Sequence, residues 1–247
     1  FSKKLNIYEN PDELLSISLG SAETTLLKLT SAYCSFVNGG KLVSPIIIDR
    51  IQDSEGNTIF NTEKRNCENC NEISFLGNDT PVIKDNFIQI FSPETAYQIT
   101  SILEGATKTG TAKKLRDLKM DLAGKTGTTN KNTDTWFIGF TSDLVIGVYV
   151  GYDEPKSLGK FETGAKTAMP IFKSFIKSAL KKENTRPFKV PENITMMVVD
   201  SKTGKKVSFA SKKTLIESFK SNKVLEKTNI SKKINNRFNN NNILRFY

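Results

Sequence analysis

Two runs of β-branched and aromatic residues, with only two residues between them, limit the fold of this chain more than any other feature. The runs are TWFIGFT, at residues 135–141, and LVIGVYVGY, at residues 144–152, and Ser142-Asp143 separates them. So short a connection joins two strands only as an antiparallel hairpin. A third strand-like run, DLAGKTGTT at residues 121–129, comes just before them. We therefore predict an antiparallel sheet in the middle of the chain.

Three segments with apolar residues at helical spacing surround that sheet in the sequence. The first, residues 24–37, ends at Gly39-Gly40, where left-handed backbone costs little. The second opens with Ser92-Pro93, a capping residue followed by proline at the first helical position. The third, Met169 to Lys182, has an apolar face that can pack across the sheet. The predicted fold class is α+β, an antiparallel sheet covered by helices.

Weaker strand signals lie on both sides of this region. After Pro45, the sequence IIIDRI, the turn residues DSEGN and the sequence TIF predict a hairpin. Residues 61–86 are polar and are most simply a long surface loop. The runs ITMMVVD, at residues 194–200, and KKVSF, at residues 205–209, predict a second, shorter hairpin.

The net charge of +10 belongs to the C-terminal part of the sequence. Residues 201–247 hold 12 of the 36 basic and 2 of the 26 acidic residues, so residues 1–200 carry 24 of each and are neutral. We divide the chain into a main domain at 1–190, a β extension at 191–210 and a basic Asn/Lys-rich tail at 211–247. Such a tail cannot bury enough apolar surface to offset chain entropy, so we expect it to be disordered. It is either simply solvated or attracted to an anionic surface; the first is simpler, and we expect no nucleic-acid partner.

The residue types that are absent or scarce exclude several kinds of site. Histidine is missing altogether, which excludes Ser-His-Asp and Cys-His catalysis and imidazole-ligated zinc. Cys67 and Cys70 form a single CxxC, and Cys34 alone remains to supply a further thiolate ligand. A local disulfide and two idle thiols both remain open for the pair, and we expect neither a metal nor a cofactor. No run of about 18 apolar residues is present, so we predict no membrane span in this sequence.

The tetrapeptide Lys-Thr-Gly-Thr occurs twice, at Lys108–Thr111 and at Lys125–Thr128. The first copy follows a predicted helix and is most simply a helix-terminating loop. The second lies in a strand-like run. On an edge strand, the glycine lets a substrate backbone approach closely, and the lysine supplies a fixed positive field. The threonine hydroxyls can bind a carboxylate, and a backbone N–H can point at a developing oxyanion.

The surroundings of the second copy resemble a known family. The run AGKTGTTNKNTDTWFIGFTSDLVIGVYVGYDEP, at residues 123–155, resembles the third active-site motif and following strands of penicillin-binding proteins. Residues 17–48 resemble the helix and connector that precede this motif in the class A (bifunctional) members. Residues 164–180 resemble the closing helix of their transpeptidase domain. The resemblance runs in order from about Ile17 to Asp200, so residues 1–190 are expected to be the C-terminal part of such a domain.

This resemblance implies a cell-wall enzyme at the periplasmic face of the bacterial inner membrane. Such enzymes attack D-Ala-D-Ala stem peptides of peptidoglycan and are acylated by β-lactams. Carried onto this sequence, Lys125 occupies the cationic position of the motif, and Thr126 recognises the substrate carboxylate. Gly127 allows close approach, and Thr128 assists carboxylate binding and offers its backbone N–H to the oxyanion hole.

Two motifs that the family requires upstream of Lys-Thr-Gly are missing. No Ser-x-Asn occurs in the chain, and the two Ser-x-x-Lys matches considered, at Ser174–Lys177 and Ser178–Lys181, lie downstream in the predicted closing helix. We expect the nucleophile to lie before Phe1, so the fold is incomplete on its N-terminal side and these residues alone are inactive. The glycosyltransferase domain and membrane anchor of the family are expected further upstream.

Two alternatives remain. A D,D-carboxypeptidase or β-lactamase-related hydrolase would share the Lys-Thr-Gly strand. A non-catalytic basic module that binds polyanions would depend on the tail alone, because the first 200 residues are neutral.

Overall fold

Two of the three helices begin at capping residues that the sequence supplies. The computed structural model describes residues 1–63, 65, 67–68, 82–180, 185–208, 210–211 and 213–221. Helix α1 (Leu26–Val37) begins where the Thr25 hydroxyl accepts a hydrogen bond from the N–H of Lys28. Helix α2 (Pro93–Lys108) begins in the same way at Ser92, and helix α3 spans Ala168–Ala179. All three predicted helices are confirmed.

The hairpin predicted after Pro45 is also confirmed. Strands β1 (Arg50–Gln52) and β2 (Thr58–Asn61) pair antiparallel, and Gly56 in their turn has a φ of 88°. The two-residue strands β3 (Cys67–Glu68) and β4 (Val82–Ile83) pair next. Both strands lie within residues 61–86, which the sequence predicted as a long surface loop; most of that segment, with Cys70 and the side chain of Cys67, lies outside the described residues.

The predicted central sheet is confirmed as three antiparallel strands. They are β5 (Ala123–Thr128), β6 (Asp134–Phe140) and β7 (Val145–Gly151), and they lie in that order in the sheet. The β6–β7 register runs from Asp134 opposite Gly151 to Phe140 opposite Val145, as the two-residue connection requires. The chain is therefore an α+β structure.

Alternate residues of β6 pack against helices on opposite faces of the sheet. On one face, Phe137 contacts Phe172 of α3 with ring centroids 4.9 Å apart, and both side chains are fully buried. On the other face, Phe140 contacts Tyr33 of α1. This burial on both faces explains why β6 is apolar along nearly its whole length. Other members of the α3-side core are Ala112, Leu115, Leu122, Ala168, Met169 and Ile176.

The second predicted hairpin forms in part, and its first strand, β8 (Ile194–Asp200), has a further partner that the sequence did not indicate. The start of KKVSF pairs antiparallel with the end of β8, through a bridge between Val199 and Lys206 and a hydrogen bond from Val207 N–H to Val198 O at 3.0 Å. Strand β8 also pairs over its full length with β9 (Thr214–Lys220), so the segment expected to be disordered from residue 211 contains a strand. Strand β9 is held by tertiary contacts that its composition does not reveal: Gln98 Nε2 donates to Ser218 O at 3.0 Å, and Lys220 Nζ to Thr95 Oγ1 at 2.7 Å. Residues 222–247 lie outside the described residues.

Among the residues that the structure describes, no helix has the length and apolar character needed to cross a bilayer.

Candidate active site

The second Lys-Thr-Gly-Thr copy lies on β5, which is an edge strand of the central sheet among the described residues. The first two residues of β5, Ala123 and Gly124, are buried. Lys125 and Thr128 are exposed, and Thr126 and Gly127 are half-buried. The strand therefore enters the core at its beginning and carries the motif at an open edge.

The backbone of Thr126 and Thr128 points toward that open edge. One residue beyond β5, the N–H of Thr129 donates to Asp134 O at 3.2 Å, which makes this a hydrogen-bonded pair of the ladder. Because hydrogen-bonded and non-bonded pairs alternate in an antiparallel ladder, Gly127 and Lys125 bond to β6. The N–H and C=O groups of Thr126 and Thr128 therefore point away from it. The contact of Lys125 Nζ with Thr126 O, at 2.8 Å, agrees with this direction.

The side chains of the motif divide between the two faces of the sheet. Thr126 and Thr128 lie opposite Phe137 and Thr135, on the face that α3 covers. Lys125 lies opposite Ile138 and so projects on the other face. No carboxylate among the described residues forms an ion pair with Lys125, so its ammonium remains available to an anionic ligand. A ligand lying along the edge would have the lysine on one side and both hydroxyls on the other.

Two close contacts hold the end of β5 in place. The N–H of Gly164 donates to Thr128 Oγ1 at 3.1 Å, which leaves the hydroxyl hydrogen of Thr128 free to donate elsewhere. A Cβ atom at Gly164 would lie 2.5 Å from Trp136 O and 2.6 Å from Gly127 O. Only glycine fits there. Gly164 lies at the start of the segment that resembles the closing helix, and its sequence context alone indicated no role for it.

The first copy ends α2, as the sequence predicted, but it also comes close to the second copy. Lys108 is the last residue of α2 and pairs with Glu104 at 2.7 Å. Thr111 lies just beyond the helix, and its Oγ1 is 3.4 Å from Thr126 Oγ1. The structure thus brings one residue of the first copy to the motif strand, although 15 residues separate the two threonines.

The Ser-x-x-Lys matches do not form a nucleophile site. Ser174 and Ser178 are exposed residues of α3, and Ser178 Oγ donates to Ser174 O. A third match, Ser157–Lys160, was missed in the sequence. It lies in an irregular segment where Gly159 has a φ of 136°, so its serine and lysine do not share a helical turn. Cys34 offers no substitute, because burial raises the pKa of its thiol and the thiolate is the reactive form.

Comparisons with known proteins show the family to which the chain belongs. The family model described as the penicillin binding protein transpeptidase domain matches residues 5–177. Penicillin-binding protein 1A of Rickettsia prowazekii is 44% identical over 225 residues, which are 90% of this chain and 28% of that protein. Penicillin-binding protein 1A of Neisseria gonorrhoeae is 37% identical over 188 residues, covering 74% of this chain and 22% of that protein. The chain thus spans less than a third of the length of these relatives.

Solved structures show the same fold. The crystal structure of penicillin-binding protein 1A from Haemophilus influenzae aligns with a TM-score of 0.71 at 30% identity, covering 89% of this chain and 35% of that one. PonA1 of Mycobacterium tuberculosis aligns with a TM-score of 0.59 at 21% identity, covering 77% of this chain and 50% of that one, which shows the fold alone. The chain belongs to the penicillin-binding protein transpeptidase family, as part of a transpeptidase domain of the class A, penicillin-binding protein 1A type.

Proposed function

We propose that these residues form one wall of the acyl-transfer site of a peptidoglycan D,D-transpeptidase. The observation that carries the proposal is the placement of Lys125–Thr128 on an open edge strand, with its backbone directed outward at Thr126 and Thr128. An extended peptide can add to such an edge through main-chain hydrogen bonds. A stem peptide that ends in D-Ala-D-Ala would lie along β5 in this way.

Each residue of the motif has a role that its position supports. The outward N–H of Thr128 would donate to the oxyanion that forms when the peptide carbonyl is attacked. The hydroxyls of Thr126 and Thr128 would donate to the terminal carboxylate, and the Lys125 ammonium would supply a fixed positive field. Gly127 would keep the strand free of a side chain where the ligand backbone passes.

The attacking serine would come from a part of the protein outside these 247 residues. Its Oγ would attack the carbonyl carbon of the penultimate D-Ala, the peptide bond would break, and the terminal D-Ala would leave as the protonated amine. The amine of a second stem peptide would then attack the ester and release the serine. The same serine would be acylated by β-lactams, whose ring carbonyl replaces that of the peptide.

A chimera tests this proposal. The matched segment of R. prowazekii penicillin-binding protein 1A is replaced by this chain, and covalent labelling by a fluorescent penicillin is followed on denaturing gels. We expect labelling of the chimera and none of the 247-residue chain alone, because the isolated chain has the oxyanion donors without a nucleophile. A stable adduct on the isolated chain would show that the nucleophile lies within it. A folded chimera that is never labelled would contradict the proposed site.

The fate of the acyl group separates the transpeptidase from the hydrolases of the same fold. A transpeptidase passes the acyl group from a stem peptide to an amine, whereas a carboxypeptidase or β-lactamase-type enzyme passes it to water. We expect the chimera to form cross-linked product when an amine acceptor is added. We also propose the periplasmic face of the inner membrane and an accompanying glycosyltransferase domain for the longer protein.

A further inference from the structure

The hydroxyl of Thr111 faces the motif strand, whereas the side chains of Lys108 and Thr109 in the same copy make their contacts within the end of α2. The Lys108 side chain pairs with Glu104, and the Thr109 hydroxyl donates to Gly105 O at 3.2 Å. Thr111 is exposed, and among the described residues its hydrogen-bond partner is Thr126 Oγ1. Its side chain therefore neither packs in the core nor caps the helix, so neither role explains its position.

The backbone on both sides of Thr111 is fixed, so the hydroxyl is held in place. Before it, the N–H groups of Thr109 and Gly110 both donate to Gly105 O, at 2.9 and 3.3 Å. After it, Ala112 is fully buried and its N–H donates to Ala106 O at 3.0 Å.

A buried side chain ties this loop to the beginning of the motif strand. Thr107 Oγ1 donates to Leu122 O at 2.5 Å, one residue before β5 begins. The end of α2 and the motif strand are therefore joined, and the distance between Thr111 and Thr126 does not depend on those two side chains alone.

The mutual bond of the two hydroxyls is weak enough to be exchanged for a ligand. Its O···O distance of 3.4 Å is well beyond the usual range of about 2.7 to 2.8 Å for hydroxyl donors. Each hydroxyl carries one hydrogen, and a bond to a carboxylate is shorter and stronger than a bond between neutral groups. An arriving carboxylate would therefore draw both hydrogens toward its two oxygens.

We propose that Thr111 is a specificity-determining residue that donates, side by side with Thr126, to the carboxylate of the ligand. This inference rests on the proposed function, since it assigns a further member to the same site. The first copy of the tetrapeptide then contributes one residue to the site, through its last threonine and not through its lysine.

The test compares ligands that differ only in the carboxylate. The chimera is acylated with benzylpenicillin and with its methyl ester, and the ratio of the two second-order rate constants measures carboxylate recognition. We expect the unmodified chimera to prefer the acid and Thr111→Val to lose about tenfold of that preference, as the loss of one hydrogen bond to a charged group predicts. Thr111→Ser keeps the hydroxyl and should retain the preference.

The outcomes separate this inference from the proposed function. If Thr111→Val leaves the ratio of the acid and ester rate constants unchanged, Thr111 does not contact the carboxylate, although the proposed site is correct. If the folded, unmodified chimera reacts with neither ligand, the proposed function itself fails.

A second measurement tests the inference if the chimera or its Thr111→Val variant does not fold. The 247-residue chain is titrated with N-acetyl-D-alanyl-D-alanine and with its C-terminal amide, and the threonine methyl resonances are followed. Shifts of Thr111 and Thr126 with the acid alone support the inference, whereas equal shifts or none overturn it.

Discussion

The two copies of Lys-Thr-Gly-Thr have the same four residues and different structures. In the first copy, Lys108 ends α2, Thr109 follows as its C-cap, and Gly110 packs tightly against Ala106. In the second copy, all four residues lie in β5 and pair with residues 135–138 of β6. A tetrapeptide therefore does not fix its own conformation; the preceding helix or the facing strand does.

The difference also separates the chemistry of the two lysines. Lys108 is neutralised by a carboxylate on its own helix, whereas Lys125 has no ion-pair partner among the described residues and lies at an open strand edge. An unpaired cation beside outward backbone donors suits an anionic ligand. The first copy is thus a helix end, and the second is an open strand edge.

The largest expected effect is on catalysis and should appear in the second copy alone. In the chimera, Lys125→Met should lower the rate constant for penicillin acylation on the order of 100-fold, the usual cost of removing one group that stabilises a developing charge. Lys108→Met, the matched change in the first copy, should leave that rate constant unchanged. Equal losses, or no loss from the change at Lys125, would remove the distinction between the two lysines.

The next effect tests whether tertiary packing holds the second copy. Gly164→Ala would push a Cβ atom into the carbonyl oxygens of Trp136 and Gly127, so the free energy of unfolding should fall by about 1 to 3 kcal/mol. Gly105→Ala, close to the first copy, is the control because a Cβ atom there meets nothing within 4 Å. Urea unfolding of the two variants should show a loss for the first and a small gain for the second.

Substitution of the glycine should affect stability in the first copy and acylation in the second. A Cβ atom at Gly110 would lie 2.9 Å from the Cα of Ala106, a backbone atom, so Gly110→Ala should lower the melting temperature by several degrees. At Gly127 the nearest atom is the Cβ of Trp136, 3.1 Å away, so a displacement of a few tenths of an ångström relieves the contact. Gly127→Ala should therefore melt closer to the unmodified protein while acylation slows. Equal melting losses with unchanged acylation would contradict a ligand approach at Gly127.

The smallest effect concerns the ion pair of the first copy. The exposed Lys108 and the half-buried Glu104 form an i,i+4 pair on α2, and about 0.3 to 0.5 kcal/mol is usual for such a pair on a helix surface. Glu104→Gln should therefore lower the free energy of unfolding by no more than this amount, and the difference should vanish in high salt. A loss above about 1 kcal/mol would show that Glu104 stabilises the fold by more than an i,i+4 ion pair contributes.

The sequence was sufficient where short-range rules decide the structure. The two-residue connection at Ser142-Asp143 required an antiparallel β6–β7 pair, and Ser92-Pro93 marked the beginning of α2. The different conformations of the two tetrapeptide copies also followed from their neighbours, an end of a helix in one case and strand-like runs in the other.

The sequence was insufficient where distant residues meet. The partner of β8 depends on contacts of Gln98 and Lys220 that no local pattern shows, so composition alone suggested disorder where β9 forms. The proximity of Thr111 to Thr126 likewise depends on how tightly Gly110 closes α2 and on the Thr107–Leu122 bond. The fit of Gly164 over Gly127 joins residues 37 positions apart and has no signal in either segment.

A crystal structure of the penicillin-acylated chimera would test most directly whether the edge of β5 is the ligand-binding wall. We predict that the acyl carbonyl oxygen accepts a hydrogen bond from the N–H of Thr128 and that the penicillin carboxylate lies at the hydroxyl of Thr126. A covalent adduct whose carbonyl and carboxylate both lie away from β5 would contradict the assignment.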